Sequence, residues 1–343
     1  MLRLQKKLLQ EKSYLTGKYS ISPEFISLLL TFKCNFKCRS CSIWEKDHAH
    51  ELTEDQWQKI FKDLGKNIYK DTFIELNGGE PLIRKDLVIL AIAELKKHSS
   101  SVSLNSNGSL IDETMIRELE KAGLDTIKIS LYSTDYETHD FLRGSSGAHK
   151  KALRALDLIT NSRIKLEVGI LITAQNIKEI TKLIGYLNKL NNVKIILQPL
   201  DEMIESKVSK NKNTTVVIPE LWPIREDTEK FFSWIEENPK NIKNHPAAIR
   251  AMKKYYLDPR SALNYRCFAG QRSLIIYPNG DTTLCFKGKV IGNALENDIL
   301  EILENKNAIN ERLNIKQCQK NCRIVGCNFS RGFLEFARDT LKK

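Results

Sequence analysis

FISLLLTFKCNFKCRSC, residues Phe25 to Cys41, joins a short apolar run to three closely spaced cysteines. The apolar run predicts a buried β-strand over Phe25 to Leu30. The cysteines then lie on the loop at the carboxyl end of that strand, in a C-x3-C-x2-C spacing: Cys34, Cys38 and Cys41. Thiolates suit a soft metal, and three are one short of closing a four-iron cluster. Zinc is the alternative for this loop taken alone, because His48 or His50 could supply a fourth ligand.

The composition restricts the class of protein. The chain has 343 residues and eight cysteines, and those cysteines lie in clustered spacings. Such spacings in a chain with neither a signal peptide nor a membrane span predict metal ligands in a reducing compartment rather than disulfides. We therefore expect a cytoplasmic protein.

The net charge is positive, at +12, and the lysines are spread widely along the chain. They are not interleaved with aromatic residues as they would be in a groove for single-stranded nucleic acid. A solvated basic surface is the expected structure, and nucleic acid is not the expected partner. An RNA-modifying or RNA-binding iron–sulfur protein is the alternative that would explain the charge.

Strand and helix patterns alternate from residue 25 onward. The predicted strands after the first are Thr72–Leu76, Val102–Leu104, Thr126–Leu131, Lys165–Ile172 and Val193–Leu197. One intervening helix begins with a capping box at Thr53 and Gln56, and another ends at Gly123. This alternation predicts right-handed βαβ units and a parallel sheet.

A second motif, Gly78-Gly79-Glu80-Pro81, follows the second predicted strand. Together with the C-x3-C-x2-C loop it resembles the radical S-adenosylmethionine (SAM) superfamily. The resemblance implies an α/β fold, a partial (βα)6 TIM-like barrel. It also implies a 4Fe-4S cluster on Cys34, Cys38 and Cys41, whose open iron binds SAM. Reductive cleavage of SAM then gives a 5'-deoxyadenosyl radical that takes a hydrogen atom from substrate.

The resemblance further assigns SAM contacts to loops at the carboxyl ends of the strands. The backbone of the glycine motif is expected near the SAM amino group, because glycines allow a close approach to a ligand. Arg143 and Ser130 are expected at the SAM carboxylate, since a guanidinium can pair with both oxygens. The full set of expected contacts is Gly78, Gly79, Glu80, Ser106, Asn107, Ser130, Arg143 and Gln198.

Near these contacts the sequence departs from the family pattern at one position. Ser40 stands where the family usually has a hydrophobic or aromatic residue beside the adenine, and Trp44 could supply that contact instead. The polar residues just before Arg143, which are Asp135, Glu137, His139 and Asp140, are expected at a solvated helix start rather than in catalysis.

Five further cysteines lie in the last third of the chain: Cys267, Cys285, Cys318, Cys322 and Cys327. Pro278-Asn279-Gly280-Asp281, between the first two, predicts a β-hairpin. The arrangement resembles the SPASM/twitch module, which implies a second, auxiliary 4Fe-4S cluster. Five cysteines for four positions leave one spare, and a cluster held by only three would leave an iron open for substrate. A zinc ribbon is the alternative for this group alone.

The expected organisation is an N-terminal extension (1–24), a core barrel (25–200), a helical connector (201–264) and a β-hairpin/helix cluster-binding module with a C-terminal helix (265–343). The resemblance implies a radical SAM enzyme with an external reductant such as flavodoxin or ferredoxin. Its substrate is expected to be a small molecule, a sugar-like compound or a peptide, modified by net oxidation or bond formation. A non-catalytic zinc or iron–sulfur scaffold is the remaining alternative.

Overall fold

The computed structural model describes residues 3–68, 71–98, 101–201 and 219–324. The expected ligand Cys327 and the expected C-terminal helix lie outside the described residues. No helix within these four ranges is long and apolar enough to cross a bilayer.

Six parallel strands form the core of the sheet, in the spatial order β6-β5-β4-β3-β2-β1. They are β1 Phe25–Leu29, β2 Phe73–Asn77, β3 Ser101–Ser106, β4 Thr126–Ser130, β5 Lys165–Ile172 and β6 Val193–Pro199. Each predicted strand is present, with ends shifted by at most two residues. The parallel order confirms the α/β fold class and agrees with a partial (βα)6 barrel.

Some of the helices connect these strands, and the others lie before β1 or after β6. They are α1 Arg3–Thr16, α2 Glu54–Asn67, α3 Lys85–Lys96, α4 Glu113–Ala122, α5 Tyr136–Arg143, α6 Ala148–Thr160, α7 Ile180–Leu187, α8 Arg225–Glu237, α9 Pro246–Leu257, α10 Ala269–Arg272, α11 Ile299–Glu304 and α12 Lys306–Gln317. The predicted capping box at Thr53 and Gln56 is confirmed, as is the left-handed Gly123 that ends α4. Local sequence therefore determines where these helices begin and end.

The hairpin predicted around Pro278 to Asp281 is confirmed, and it extends the barrel sheet. Its strands are β7 Ser273–Ile276 and β8 Asp281–Thr283, followed by β9 Val290–Asn293. β7 pairs in parallel with β1, so that Phe25 lies opposite Ser273, while β8 and β9 are antiparallel. The strands before and after the expected module boundary at residue 265 therefore belong to one nine-stranded sheet, and the boundary itself stays a prediction.

A buried arginine joins the N-terminal extension to the C-terminal part of the chain. Arg312 on α12 is 2% exposed. Its Nε donates to the carbonyl of Gly270 at 2.9 Å, its Nη1 to that of Gly17 at 3.2 Å and its Nη2 to that of Leu303 at 2.8 Å. Burial lowers the pKa of this guanidinium to about 10. Three separate segments therefore depend on one side chain for a hydrogen-bond donor.

Candidate active site

The cysteine loop begins where the ends of β1 and β2 run side by side beyond the regular strands. Gly79 N donates to Thr31 O at 2.8 Å, and Glu80 N donates to Lys33 O at 2.9 Å. A Cβ on Gly78 would lie 2.4 Å from Thr31 O, and one on Gly79 would lie 2.1 Å from Lys33 O. The two glycines are thus required by the close approach of the chain to itself, whereas the sequence suggested only a close approach to a ligand.

Helix α5 holds the other side of the cysteine loop through its last turn. Arg39 N donates to Leu142 O at 3.1 Å, and Arg39 Nε donates to Phe141 O at 3.2 Å. Gly144, in the left-handed conformation, ends the helix, and a Cβ there would lie 2.1 Å from Lys37 O. The segment between the second and third cysteines is therefore fixed by a helix that carries Arg143 as its last residue.

The three loop thiols lie close enough to interact electrostatically. Burial, with smaller contributions from the neighbouring Cys38 and Cys41, raises the pKa of Cys34 to about 11. Burial is also the main cause of the raised pKa of Cys41. Three thiolates held together in this way need a compensating cation, which is what iron would supply. The donor set therefore fits an iron–sulfur cluster, whose binding would release protons.

Arg143 is a buried cation directed toward these thiols. Its side chain is 7% exposed, and its Nη1 donates to the Tyr132 hydroxyl at 3.0 Å. Burial opposes its charge, but interactions with Tyr132, Cys38 and Cys34 outweigh burial and raise its pKa. Its Nε is buried and has no hydrogen-bond partner among the described residues. An unused donor on a permanent cation suits a carboxylate ligand such as that of SAM.

Glu80 ties the loops after β2 and β3 together. Its fully buried carboxylate accepts from Leu82 N at 3.2 Å, Ser106 Oγ at 3.0 Å and Asn107 N at 2.8 Å. Burial raises its pKa despite these donors. Both of its oxygens are thus engaged within the protein. The structure gives Glu80 a role in holding Ser106 and Asn107, and a direct SAM contact by its side chain stays a prediction.

Asn107 in turn reaches the cysteine loop. Its Nδ2 donates to Asn35 Oδ1 at 2.8 Å, and Asn35 Nδ2 donates to Ser109 Oγ at 2.8 Å. Asn35 immediately follows Cys34 in the chain. The loops after β1, β2 and β3 are therefore connected by one hydrogen-bond network.

The interior of the barrel contains an ion pair that the sequence did not predict. Lys128 Nζ on β4 lies 2.7 Å from Glu75 Oε1 on β2. Because β3 lies between these strands, such a contact is made on the concave face of a curved sheet. Asn77 Nδ2 donates to Glu75 Oε2 at 3.3 Å. Two charged residues inside otherwise apolar strands were the available sequence signal.

Further polar groups share this interior. A Cβ on Gly169 would lie 3.3 Å from Gln198 Oε1 and 3.7 Å from Lys128 Cδ, so the predicted Gln198 lies beside the ion pair. Ser103, which pairs with Glu75 in register, has a buried hydroxyl without a hydrogen-bond partner among the described residues. Glu167 is paired with Lys243. The barrel interior is therefore polar: Glu75 is balanced there by Lys128, whereas Glu167 is balanced by the exposed Lys243.

Four of the five later cysteines form a second group. Burial, with smaller contributions from Cys285 and Cys318, raises the pKa of Cys267 to about 11. Burial raises the pKa of Cys322 to about 12, and its electrostatic neighbours include Lys287, Cys285 and Cys267. These four soft donors fit one auxiliary cluster. Whether Cys327 replaces one of them stays open, since it lies outside the described residues.

The structure also shows where the residues lie that could have bound zinc or contacted the adenine. His48 and His50 are exposed. Within the described ranges, no three His, Cys, Asp or Glu side chains converge tightly on one ion-sized position. Trp44 Nε1 donates to Cys41 O at 2.8 Å, and Lys37 Nζ lies 5.6 Å from the Trp44 ring centroid. Trp44 therefore lies on the cysteine loop, and its contact with adenine stays a prediction.

His139 was expected at a solvated helix start, and it is instead 1% exposed. Its Nδ1 accepts a hydrogen bond from Tyr132 N at 3.1 Å, and the hydroxyl of the same Tyr132 accepts from Arg143. Burial lowers its pKa to about 3, with contributions from Arg143 and His149. The apolar surroundings of α5 therefore exclude the charged form of this imidazole.

We expect this histidine to make the fold sensitive to acid. As pH falls below the ordinary histidine pKa of about 6.5, the unfolded chain binds a proton that the folded chain excludes, so stability is lost. Between pH 7 and pH 5 the loss should be about 2 kcal/mol. The His139→Asn variant, which keeps an acceptor for Tyr132 N, should lose less over this interval. Urea unfolding of both proteins at the two pH values measures the difference; equal losses would contradict this role.

Comparisons with known proteins agree with this arrangement. The family model described as "Radical SAM superfamily" matches residues 28–187, which include the cysteine loop and the strands up to β5. The model described as "Iron-sulfur cluster-binding domain", the SPASM family, matches residues 267–328, which include all five later cysteines.

Individual relatives cover different shares of the chain. The Fe-coproporphyrin III synthase of Methanosarcina barkeri is 33% identical over 162 residues, covering 47% of this chain and 40% of that protein, so the chain spans less than half of that relative's length. The PqqA peptide cyclase of Granulibacter bethesdensis is 26% identical over 267 residues, covering 76% of this chain and 67% of that protein. The structure of Streptococcus suis SuiB bound to its precursor peptide SuiA has a TM-score of 0.67 at 16% identity, over 90% of this chain and 71% of that chain, which shows a shared fold.

Proposed function

Because this chain belongs to the radical SAM superfamily and carries a SPASM-type iron–sulfur domain, we propose that it is a radical SAM enzyme acting on a peptide. When bound, the 4Fe-4S cluster and SAM supply a 5'-deoxyadenosyl radical that abstracts a hydrogen atom. The observation that carries the proposal is Arg143, a buried guanidinium with a spare donor beside three clustered thiols.

The chain's own residues divide the work of binding and positioning. Cys34, Cys38 and Cys41 hold the first cluster, and Arg143 with Ser130 binds the SAM carboxylate. Glu80 fixes Ser106 and Asn107 through its two carboxylate oxygens, so these residues face SAM in a set orientation. Helix α5 holds the cysteine loop and Arg143 as one unit, which keeps the carboxylate partner close to the thiolates.

The second cysteine group holds an auxiliary cluster in this proposal. Its ligands are Cys267, Cys285, Cys318 and Cys322, which are electrostatic neighbours. Lys287 and Arg323 are the nearby cations that partly balance their charge. A cluster there can accept the electron that remains on the substrate after hydrogen abstraction, giving a net oxidation or a new bond.

A peptide substrate is supported by the relatives and by the barrel interior. The relative with the longest quoted match is a peptide cyclase, and a neighbour of the same fold binds a precursor peptide. The interior offers both donors and acceptors, through Lys128, Ser103 and the Glu75 carboxylate, which suit the amide groups of a peptide. A tetrapyrrole, as the name of the coproporphyrin relative suggests, presents a wide apolar face, and packing it here would remove these charged groups from water at a cost in free energy.

The experiment follows the abstracted hydrogen atom, so the substrate can be sought in a mixture. The loaded enzyme is incubated anaerobically with SAM and a chemical reductant, together with either a fully deuterated peptide digest or a deuterated small-molecule extract. We expect deuterium in 5'-deoxyadenosine from the peptide sample. Deuterium from the small-molecule extract alone would reject a peptide substrate, and no 5'-deoxyadenosine under any condition would reject radical SAM activity.

Arg143→Ala should weaken SAM binding. A hydrogen bond to a charged partner contributes about 1.5–3 kcal/mol, so the dissociation constant should rise by roughly one to two orders of magnitude. Arg143→Lys keeps the charge but loses the forked guanidinium, so its dissociation constant for SAM should lie between those of the native protein and Arg143→Ala. Anaerobic calorimetry on protein with an unchanged cluster spectrum measures this. An unaltered dissociation constant for Arg143→Ala would exclude the assigned role.

A further inference from the structure

Three side chains of α1 lie along one face of the helix and contact the segment that carries Cys267. They are Lys7, Glu11 and Tyr14, and their spacing of four and three residues makes them neighbours on that face. Lys7 is 6% exposed and Tyr14 is 9% exposed, so this face is packed against the rest of the protein. We call these three residues the α1 clamp.

The residue after Cys267 is held by two members of the α1 clamp. Phe268 stacks on Tyr14, with 4.8 Å between the ring centroids and 27° between the ring planes. Lys7 Nζ lies 4.2 Å from the Phe268 ring centroid, and Phe268 is itself buried. A desolvated cation and ring attract each other more strongly than exposed ones, so these contacts restrict where Phe268 can lie.

The residue before Cys267 is held by the same helix face. The guanidinium carbon of Arg266 lies 4.1 Å from the Tyr14 ring centroid. Arg266 Nη2 also donates to Glu11 Oε2 at 2.6 Å. Cys267 therefore lies between two side chains that are both fixed by α1.

The backbone around Cys267 belongs to no helix or strand. Residues 265–268, all of them described, join a short helical turn, Pro259–Asn264, to α10. Fixing a loop in one conformation costs conformational entropy, and a cluster requires its thiol in one position. Contacts from α1 supply the order that the local backbone lacks.

Tyr14 also reaches the segment of a second proposed ligand. Lys316 Nζ, in the last turn of α12, lies 5.5 Å from the Tyr14 ring centroid. Cys318 is the residue that ends this helix. One tyrosine ring is therefore placed between the segments of Cys267 and Cys318.

We propose that the α1 clamp positions Cys267 and Cys318 for the auxiliary cluster. The inference rests on the proposed function, because it takes these two cysteines as ligands of that cluster. Docking of α1 and binding of the cluster are then linked: docked α1 holds the thiols in their binding positions, and the bound cluster stabilises docked α1. The first cluster site is held instead by α5 and the loops after β2 and β3, so its cluster should respond little.

The test uses substitutions within α1 only. Tyr14→Ala removes the ring at the centre of these contacts, and Tyr14→Phe keeps that ring as the conservative rescue. Glu11→Gln removes the carboxylate partner of Arg266 and leaves the ring contacts, so it gives a milder variant that decides the question if Tyr14→Ala does not fold. Leu8→Ala is the matched control, because Leu8 is on the same helix and is 54% exposed.

Retention of each cluster is measured on the full-length, cluster-loaded protein, without turnover. A ferrous chelator is added anaerobically, and absorbance gives the rate of iron loss. Electron paramagnetic resonance of the reduced enzyme follows the two clusters separately, because SAM changes only the signal of the cluster whose open iron it binds. The first cluster thus serves as an internal control in every variant.

We expect the second cluster of Tyr14→Ala to lose iron at least about tenfold faster than that of the native protein, while the first cluster keeps its native rate. Glu11→Gln should show a smaller increase, also confined to the second cluster. Tyr14→Phe and Leu8→Ala should match the native protein.

Three results would overturn the proposal. The first is an equal increase for both clusters, which would indicate general destabilisation. The second is a native rate for the second cluster in Tyr14→Ala or, if that variant does not fold, in Glu11→Gln. The third is a failure of Tyr14→Phe to restore retention. Native protein that loads only about four irons would reject the auxiliary cluster of the proposed function and the clamp with it, whereas about eight irons with no effect of the variants would reject the clamp alone.

Discussion

Cys38→Ala should reduce the formation of 5'-deoxyadenosine from SAM to the background of cluster-free protein. Cys38 is the middle thiol of the first group, and it interacts electrostatically with Cys34, Cys41 and Arg143. Two remaining thiolates are too few to hold a four-iron cluster with one open iron. Anaerobic liquid chromatography of the reaction after chemical reduction measures the loss. The variant should retain about four irons, out of about eight if both sites fill.

Cys285→Ala provides the matched comparison, because it removes one thiol from the second group. It should also lose about four irons, but it should still cleave SAM while deuterium transfer and product fall to background. Metal binding often supports folding, so the comparison requires a soluble variant that keeps the spectrum of the first cluster. Product at the native rate in such a variant would show that the second site is structural only. SAM cleavage that survives Cys38→Ala would overturn the assignment of the first.

Arg312→Leu should destabilise the whole molecule by about 3 kcal/mol or more. The substitution leaves the carbonyls of Gly17, Gly270 and Leu303 buried without this donor, and each lost partner costs about 1–3 kcal/mol. Chemical denaturation of the anaerobic, cluster-loaded protein measures the effect. Because Gly270 is three residues from Cys267, the second cluster should also be lost at a lower denaturant concentration than in the native protein.

Two further variants make the Arg312 result interpretable. Arg312→Lys keeps the charge but cannot reach three carbonyls, so it should recover only part of the lost stability. Arg117→Leu removes an exposed arginine whose Nη2 donates to Thr114 of its own helix and to no other residue in the described ranges. It should change stability by less than about 0.5 kcal/mol. A small, equal effect of Arg312→Leu and Arg117→Leu would mean that Arg312 does not join the three segments.

The sequence predicted those features whose signal is local. The apolar run at Phe25, the capping box at Thr53 and the turn at Gly280 each depend on a few neighbouring residues, and each is present in the fold. The thiols at Cys34, Cys38 and Cys41 could also be grouped from spacing alone. Their common feature is that short-range geometry is sufficient to specify them.

Features that depend on distant segments could not be predicted in this way. Nothing local at Ser273 indicates that β7 pairs with β1, since the two strands are separated by most of the chain. Glu80 appeared to be a ligand contact because its bonds to Ser106 and Asn107 form only once β2 and β3 are adjacent. The Lys128–Glu75 pair likewise requires curvature of the sheet, which no single strand reveals.

The parallel pairing of β7 with β1 joins the two cysteine groups through adjacent strands. The first group follows the carboxyl end of β1. In the second group, Leu284, the neighbour of Cys285, accepts a hydrogen bond from Ser273, which lies opposite Phe25. Lys287, whose backbone N–H donates to Cys285 Sγ, also pairs with Asp201, just beyond the carboxyl end of β6. An insertion into β1 or β7 should therefore disturb both cysteine groups at once without removing any of their thiols.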